Sequence, residues 1–207
     1  MLITHPHEKI WFTSDTHYGH SDNLGFFGRP FKSVEEGDAA LIANHNALVQ
    51  PDDIVFHLGD FTWGGGPDFA LAIRRQLNGK LYLVEGNHDK DVVPIYDTFA
   101  MVSKYMEIGV KDYDVYGGVQ MICLFHFPIL AWNNARQGWW HLFGHTHGDV
   151  PPMMNGKSKA CAMDVGVDAN QMKPINYAQI KEQFAAWKEA GAITGYVKPD
   201  WTKRFPA

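Results

Sequence analysis

Short apolar runs alternate with stretches of helical spacing in the first half of the chain. Three of these runs, at 9–14, 53–60 and 80–89, have the length and the bounding turn residues of buried β-strands. Residues 33–49 and 64–77, which lie between the runs, carry the spacing and the capping residues of helices. The alternation of strand and helix predicts a parallel sheet with right-handed crossover connections.

The first predicted helix has a defined start and an apolar face. Ser33 and Glu36 form the S-x-x-E pattern of a capping box, in which two backbone N–H groups find side-chain partners. Leu41, Ala47 and Leu48 supply apolar positions on this helix. We therefore expect these three side chains to face the protein interior.

The second half of the chain has a different pattern. Residues 104–127 predict two antiparallel strands joined at the turn Gly117–Gly118. The remaining predicted elements are strands at 140–143 and 159–168 and a helix at 176–190, closed by Gly191. Together the two halves predict a four-layer αββα sandwich, in which two mixed sheets pack together with helices outside, one of them the helix at 176–190.

Composition and charge narrow the function classes. The 207 residues, 45% of them hydrophobic, fit a single globular domain spanning 1–207. A net charge of −5 argues against a protein that grips nucleic acid through a large basic surface. Cys123 and Cys161 lie in apolar stretches and are interpreted as buried thiols. Because no apolar run reaches about 18 residues and the start has no signal-peptide pattern, we expect a cytoplasmic protein without a membrane span.

Polar residues of a restricted set follow five of the predicted strands. Carboxylate, imidazole and amide groups are ligands for hard-to-borderline divalent metals, and ligands bind at the carboxyl ends of strands in open α/β sheets. Neighbouring glycines let the backbone turn sharply and approach a ligand closely. The five segments are Asp15-Thr16-His17, Gly59-Asp60, Gly86-Asn87-His88-Asp89, His126-Phe127-Pro128 and Gly144-His145-Thr146-His147.

Single members of this set carry little information. Asp15, Asp60 and Asn87 have side chains that favour turns and caps in any fold. His145 and His147 are two residues apart, which in a plain strand places both imidazoles on one face, but surface histidines share that spacing. The occurrence of all five segments in order, each at a predicted strand end, favours a metal centre over five unrelated turns.

This order of segments resembles the five-block signature of calcineurin-like metallophosphoesterases over residues 9–168. Longer stretches resemble a small bacterial and phage group of predicted phosphoesterases within that superfamily; they are residues 14–24, 29–31, 55–61, 77–89 and 163–168. The resemblance implies the same αββα fold and a centre with two divalent metal ions. The ligands that it implies are Asp15, His17 and His147 for one ion and Asn87, His126 and His145 for the other, with Asp60 bridging the two.

The implied chemistry is hydrolysis of a phosphomonoester or a phosphodiester by a hydroxide that bridges the two ions. Paired divalent cations lower the pKa of water towards about 7 and clamp the attacking and leaving oxygens. His88, outside the ligand set, is placed to donate a proton to the leaving alkoxide or to stabilise its charge, or else only orients its neighbours. Mixed Asp, Asn and His ligands favour Mn, with Fe, Zn, Ni or Mg as alternatives.

Further residues near these segments have two interpretations each. His20 is a candidate contact for the substrate phosphate or a structural residue. Arg29 is a candidate bidentate phosphate ligand, and a surface arginine otherwise. Asp89 is interpreted as a loop-fixing residue and His57 as a buried histidine outside the ligand set. Tryptophans are expected mostly in the core, with one or two able to stack on a base; they are Trp63, Trp132, Trp139 and Trp140.

The sequence therefore predicts a metal-dependent phosphoesterase that acts on a nucleotide or another small substrate. No arginine follows soon after Gly59-Asp60, which disfavours a protein Ser/Thr phosphatase, and related lipid-precursor pyrophosphatases usually carry arginine where His88 stands. A nuclease acting on nucleic-acid ends is a less favoured alternative, because no added DNA-binding domain is evident. A catalytically weak metal-binding scaffold is the other alternative, disfavoured because all seven implied ligands and His88 are intact.

Overall fold

The computed structural model describes residues 1–21, 28–149 and 161–192, which form two five-stranded sheets with helices. The strands are β1 (Leu2–Ile3), β2 (Ile10–Thr13), β3 (Ile54–His57), β4 (Lys80–Val84), β5 (Met101–Ser103), β6 (Tyr105–Lys111), β7 (Val119–Phe125), β8 (Trp140–Phe143), β9 (Ala162–Asp164) and β10 (Ile175–Asn176). The α-helices are α1 (Val34–Leu48), α2 (Gly66–Arg74) and α3 (Tyr177–Glu189).

Both sheets are mixed, as predicted. The first sheet has the order β10-β2-β3-β4-β5 and is parallel except for β10. The second has the order β1-β6-β7-β8-β9, in which β6 and β7 form the predicted antiparallel pair and β7, β8 and β9 run parallel. The predicted α/β sandwich is confirmed. Parallel pairing brings the carboxyl ends of β2, β3 and β4 together at one edge, and those of β7 and β8 together at another.

The main core lies between the two sheets. Phe12 on β2 and Phe56 on β3 stack with ring centroids 5.5 Å apart and face Ile122 on β7 and Leu142 on β8. Burying each such side chain contributes about 1.5–3 kcal/mol. On the other side of the first sheet, residues such as Val55 pack against α1 and α2. The sheets are therefore held together by apolar packing beneath the polar strand ends.

Helix α3 packs on this same core. Its Tyr177, Ile180 and Phe184 are buried in the cluster between the sheets. Its start is fixed by a capping box between Asn176 and Gln179, and Gly191 follows its end with a left-handed φ of 70°. The predicted helix at 176–190 is confirmed.

The apolar face predicted for α1 is wrong in part. Ala47 and Leu48 are exposed, whereas Leu41 is buried as predicted. The buried stripe of the helix runs at intervals of four residues through Leu41 and His45, and Val49, just beyond the helix, takes the next buried position. Ala47 and Leu48 lie beside that stripe rather than on it.

Each of the two shortest strands pairs with a strand from the other half of the chain. Strand β1, near the N-terminus, pairs with β6 in the second sheet, and β10 pairs with β2 in the first. The strand predicted at 159–168 is present as β9, while residues 159–160 and the tail after residue 192 lie outside the described residues. Within the described ranges, no helix has the length and apolarity that a membrane crossing requires.

Candidate metal centre

The site begins with sharp turns immediately after β2, β3 and β8. Five of its residues adopt the left-handed backbone conformation, which residues other than glycine rarely adopt. Conformations of this kind cost about 1–3 kcal/mol each and cluster at functional sites. The five residues, with their φ angles, are Asp15 (57°), His17 (46°), Asp60 (55°), His145 (70°) and His147 (49°).

Glycines allow the strand ends of the two sheets to approach one another. A Cβ atom at Gly59 would lie 2.6 Å from the amide nitrogen of Gly86 and 2.7 Å from Nδ1 of His126. A Cβ atom at Gly144 would overlap the Asp15 carboxylate. Only glycine fits at these two positions without a shift of the backbone or of a candidate ligand.

Asp15, His17 and His147 form the first candidate ligand cluster, called here the Asp15 group. Asp15 is completely buried, and the imidazoles of His17 and His147 lie nearly parallel with centroids 5.1 Å apart. Both carboxylate oxygens of Asp15 accept from the backbone N–H of His145, at 3.0 and 2.9 Å. This contact ties the turn after β2 to the turn after β8 in the other sheet.

Asp60, His126 and His145 form the second cluster, called here the Asp60 group. Oδ2 of Asp60 lies 3.4 Å from Nε2 of His126 and also 3.4 Å from Nε2 of His17, which belongs to the Asp15 group. Oδ1 of Asn87 lies 3.0 Å from Nε2 of His126. The seven residues predicted as ligands are thus brought together, with one oxygen of Asp60 between the two clusters.

The donor atoms fit divalent cations. Both ring nitrogens of His17 are buried without a hydrogen-bond partner among the described residues. Nδ1 of His126 donates to the Leu58 carbonyl at 2.7 Å, and Nδ1 of His147 lies 2.7 Å from Oδ2 of Asp168. Each of these two contacts leaves Nε2 free of the ring proton and available as a ligand atom. The ring nitrogens of His17, beside the carboxylates of Asp15 and Asp60, are donors of the kind that such ions require.

The two carboxylates have opposite electrostatic environments. Burial raises the pKa of Asp15 from 3.8 to about 7, so the isolated carboxylate lacks a sufficient positive partner within the fold. Burial also opposes ionisation of Asp60, but its contacts with His126 and His17 hold its pKa below the usual range. Burial lowers the pKa of His17 to about 4, so its ring is neutral and able to bind a metal ion at neutral pH.

The profile of the calcineurin-like phosphoesterase family matches residues 8–169, the part of the chain that carries all five segments. The chain belongs to this family. The resemblance predicted from the segments is confirmed. Proteins of this family bind divalent metals, and the two clusters supply candidate ligands for such ions.

Relatives of this chain come from diverse organisms. An uncharacterized protein of Methanocaldococcus jannaschii is 31% identical over 172 residues, which cover 81% of this chain and 86% of that protein. The gene 66 protein of Mycobacterium phage L5 is 32% identical over 183 residues, covering 78% and 87%. A protein of unknown function from Aquifex aeolicus shares the fold, with a TM-score of 0.66 and 24% identity over 84% of this chain and 98% of its own.

His88 lies beside the two clusters and is half-buried. Its backbone N–H donates to Oδ1 of Asp60 at 2.9 Å, and its ring centroid lies 5.6 Å from that of His17. Burial lowers the pKa of His88 from its ordinary value. The ring belongs to neither ligand cluster, and its predicted role as proton donor stays a prediction.

Asp89 fixes the loop that carries Asn87 and His88, as predicted. Its buried carboxylate accepts from the backbone N–H groups of Asp60 at 3.0 Å, Phe61 at 2.7 Å and Gly86 at 2.7 Å. These three hydrogen bonds join the turns after β3 and β4. Asp89 therefore positions the bridging candidate Asp60 without being part of either cluster.

His57 is a buried residue, also as predicted. Its Nε2 atom lies 2.9 Å from the Thr16 hydroxyl. Burial lowers the pKa of His57 to about 3, which keeps the ring neutral. The ring therefore packs beneath the turn after β2 and takes no part in the metal clusters.

An aromatic cluster lies at the rim of the site. His20 stacks on Trp63 with centroids 4.0 Å apart and rings 10° from parallel, and His88 lies 4.0 Å from the same indole. Trp63 is 38% exposed and is thus one of the tryptophans that line the site, as allowed by the prediction, whereas Trp140 is buried in the core as predicted. Trp132 and Trp139 are half-buried. Trp63 follows a turn at the edge of the site, where its ring packs on the two histidines instead of on the core. The predicted phosphate contact of His20 stays a prediction.

The surface interpretation of Arg29 is wrong. The side chain is 4% exposed and forms two parallel hydrogen bonds with the Asp168 carboxylate, at 2.7 and 2.8 Å. Its remaining contacts are to backbone carbonyls of the turn after β2. A phosphate contact would require the guanidinium to leave this buried carboxylate, so the structure does not place Arg29 as a substrate residue.

Two acidic residues of the site were not predicted from the sequence. Asp168 contacts the candidate ligand His147, and Asp164 shapes the same turn by accepting from Thr146 Oγ1 at 2.6 Å and from the Gly148 N–H at 3.0 Å. The local signal is that both aspartates belong to the stretch 163–168, which resembles a family group but does not indicate what either side chain contacts. Their partners are distant in sequence, so a local pattern cannot reveal these contacts.

Proposed function

We propose that this protein is a dinuclear metal-dependent phosphoesterase that hydrolyses a phosphodiester or phosphomonoester of a nucleotide or another small substrate. The observation that carries the proposal is the position of Asp60, whose Oδ2 atom lies 3.4 Å from a histidine nitrogen of each ligand cluster. One carboxylate oxygen between two clusters is the arrangement expected of a residue shared by two ions.

The residues have separate roles in this proposal. One ion would be held by Asp15, His17 and His147, and the other by Asn87, His126 and His145, with Asp60 available to both. When bound, a pair of divalent cations supplies Lewis acidity, an activated water and charge compensation for the phosphate. Mn is the first choice, and Fe, Zn, Ni or Mg suit the same mixed oxygen and nitrogen donors.

His88 is the proposed proton donor to the leaving oxygen. Its ring lies outside both clusters but is tied to them by the hydrogen bond from its backbone N–H to Asp60. The lowered pKa of His88 makes its protonated ring a stronger acid but leaves a smaller fraction of it protonated at neutral pH, so the proposed role rests on the position of the ring. Trp63, which contacts His88 and is partly exposed, offers an aromatic surface on which a nucleobase can stack.

Metal counting combined with a two-substrate assay tests this function. The purified protein, loaded with Mn²⁺, is assayed with bis-(p-nitrophenyl) phosphate and with p-nitrophenyl phosphate, beside His88→Ala and Asp60→Asn. We expect two bound ions and hydrolysis that falls about 10²- to 10⁴-fold in His88→Ala without loss of metal. Preference for the diester or the monoester then assigns the substrate class.

Three outcomes would contradict the proposal. Absence of bound metal would remove its basis, and two bound ions without hydrolysis of either compound would favour the metal-binding scaffold. Hydrolysis of oligonucleotide ends in preference to both small compounds would favour the nuclease instead.

A further inference from the structure

A buried ion pair joins two parts of the site that are far apart in sequence. The Arg29 guanidinium donates from Nε and Nη2 to the two oxygens of Asp168, at 2.7 and 2.8 Å, and both side chains are 4% exposed. Such a two-point contact fixes the plane of the carboxylate as well as its position. Asp168 is therefore held in one orientation.

The same carboxylate contacts a candidate metal ligand. Oδ2 of Asp168 lies 2.7 Å from Nδ1 of His147. A carboxylate at this position keeps the ring proton on Nδ1, fixes the plane of the imidazole and leaves Nε2 as the ligand atom. Nε2 of His147 lies 3.9 Å from Oδ1 of Asp15, on the side where the Asp15 group converges.

Arg29 also holds the opposite side of the Asp15 group. Its Nη2 donates to the backbone carbonyl of Asp15 at 2.7 Å, and Nη1 donates to that of Thr16 at 2.9 Å. One guanidinium thus contacts the turn after β2 directly and reaches the turn after β8 through Asp168. It spans the two turns that supply the three members of the Asp15 group.

We infer that Arg29 and Asp168 are positioning residues that fix His147 against Asp15 and thereby set the affinity of one of the two metal positions. The inference rests on the proposed dinuclear function and adds to it the residues that make the two positions unequal. A merely structural ion pair would contribute to the stability of the fold and leave metal affinity unchanged.

Metal titration of Asp168→Asn tests the inference. The variant keeps the size of the side chain but loses the charge that orients His147. We expect the affinity of one Mn²⁺ position to fall about 10- to 100-fold while the other is unchanged, measured by calorimetry on metal-free protein. Co²⁺ titration followed by visible absorption reports the altered ligand geometry independently of activity.

Asp112→Asn is the matched control. Asp112 is also a buried carboxylate with a cationic partner, since it binds Lys181 at 2.8 Å and the Tyr177 hydroxyl at 2.6 Å, away from both clusters. This variant should lose stability but keep both metal affinities. Circular dichroism and thermal melting of the metal-free proteins establish that each variant is folded.

Arg29→Lys provides a second test if Asp168→Asn does not fold. Lysine keeps the charge but cannot form the two parallel hydrogen bonds, so we expect a smaller loss of affinity at the same position. Wild-type affinities in folded variants with lowered melting temperatures would overturn the inference and leave the proposed function standing. Absence of metal binding by the wild type would instead overturn the proposed function.

Discussion

The two ligand clusters differ in how much of the protein supports them. In the Asp15 group, Asp15 and His17 are buried, and His147 is braced by Asp168 and Arg29. In the Asp60 group, Asp60 and His126 are buried, but His145 is exposed, and so is the adjacent Asn87. One cluster is enclosed and supported on every side, whereas the other opens to solvent.

This difference separates two tasks that a dinuclear site must perform. In an enclosed cluster the donor atoms are already fixed, so ordering them on binding costs little free energy and the ion binds tightly. A cluster with exposed members leaves room for an incoming phosphate to approach. We therefore expect the Asp15 group to hold the more tightly bound ion and the Asp60 group to face the substrate.

The largest effect is expected where the two clusters meet. Asp60→Asn removes the charge that both clusters share, so we expect a loss of at least about 10³-fold in kcat, since Lewis-acid stabilisation amounts to several kcal/mol. Metal analysis should find fewer than two ions per chain. Asp112→Asn serves as control, and a variant with two ions and a near-normal rate would show that Asp60 is not the shared ligand.

Two single substitutions in the turn after β8 test whether the two clusters bind their ions with different affinities. His147→Ala should weaken the tighter ion and His145→Ala the weaker one, each by at least about 100-fold, because each removes one ligand from a different cluster. Calorimetric titration with Mn²⁺ resolves the two affinities. The comparison fails if both substitutions weaken the same ion, or if His145→Ala affects the tighter one.

The metal-free protein should respond in opposite ways to loss of the two carboxylates. The pKa of Asp15 in the folded chain is raised to about 7, so its contribution to stability is present below about pH 4 and is lost as pH rises to about 7. Asp15→Asn does not titrate and should be about 1–3 kcal/mol more stable than wild type at pH 8 in EDTA, with no advantage at pH 4.

Asp60→Asn should show the reverse. The pKa of Asp60 in the folded chain is lowered, so its contribution is present above about pH 4 and is lost as the pH falls further. The variant should therefore be less stable than wild type at pH 8 in EDTA. Urea unfolding at pH 4, 6 and 8 measures the difference in stability between each variant and wild type. Two differences of the same sign at pH 8 would show that Asp15 and Asp60 do not have opposite electrostatic environments.

The smallest effect is expected at the aromatic rim, outside both clusters. Trp63→Ala removes the ring that contacts His88 and His20, and an aromatic pair contributes about 0.5–1.5 kcal/mol. We expect kcat for the nitrophenyl substrates to fall about 2- to 10-fold, with both metal affinities unchanged, and Trp63→Phe to restore most of the rate. A change in metal content would place Trp63 among the supports of a cluster.

The candidate ligands could be predicted because five short segments occur in order, each after an apolar strand, and together resemble the signature of a known family. Asp15, Asp60 and His145 follow apolar strands within a few residues and have glycine nearby, so the segments are readable without knowledge of the fold. The ion pair of Arg29 with Asp168 could not be predicted, because the two residues are 139 residues apart and the resemblance of their segments to a family group does not show that the side chains meet. Only the packing of the two sheets brings them together.

The errors in the fold have a similar origin. Leu48 is apolar and lies on a true helix, yet its exposure depends on which side of α1 meets the sheet. Strands β1 and β10 are two residues long, too short to carry a period, and their pairing is decided by the edges that the longer strands leave. Local pattern identifies elements, and tertiary packing decides which of their residues are buried.

Because the candidate ligands come from both sheets, metal binding would affect the stability of the folded protein as well as its activity. Asp15, Asp60 and Asn87 follow strands of the first sheet, and the histidines at 126, 145 and 147 follow strands of the second. Ions bound between the two sheets would stabilise the folded chain, because binding to the folded chain alone shifts the equilibrium away from unfolding. Metal starvation would then expose the chain to proteolysis, so the supply of ions would set its abundance as well as its rate.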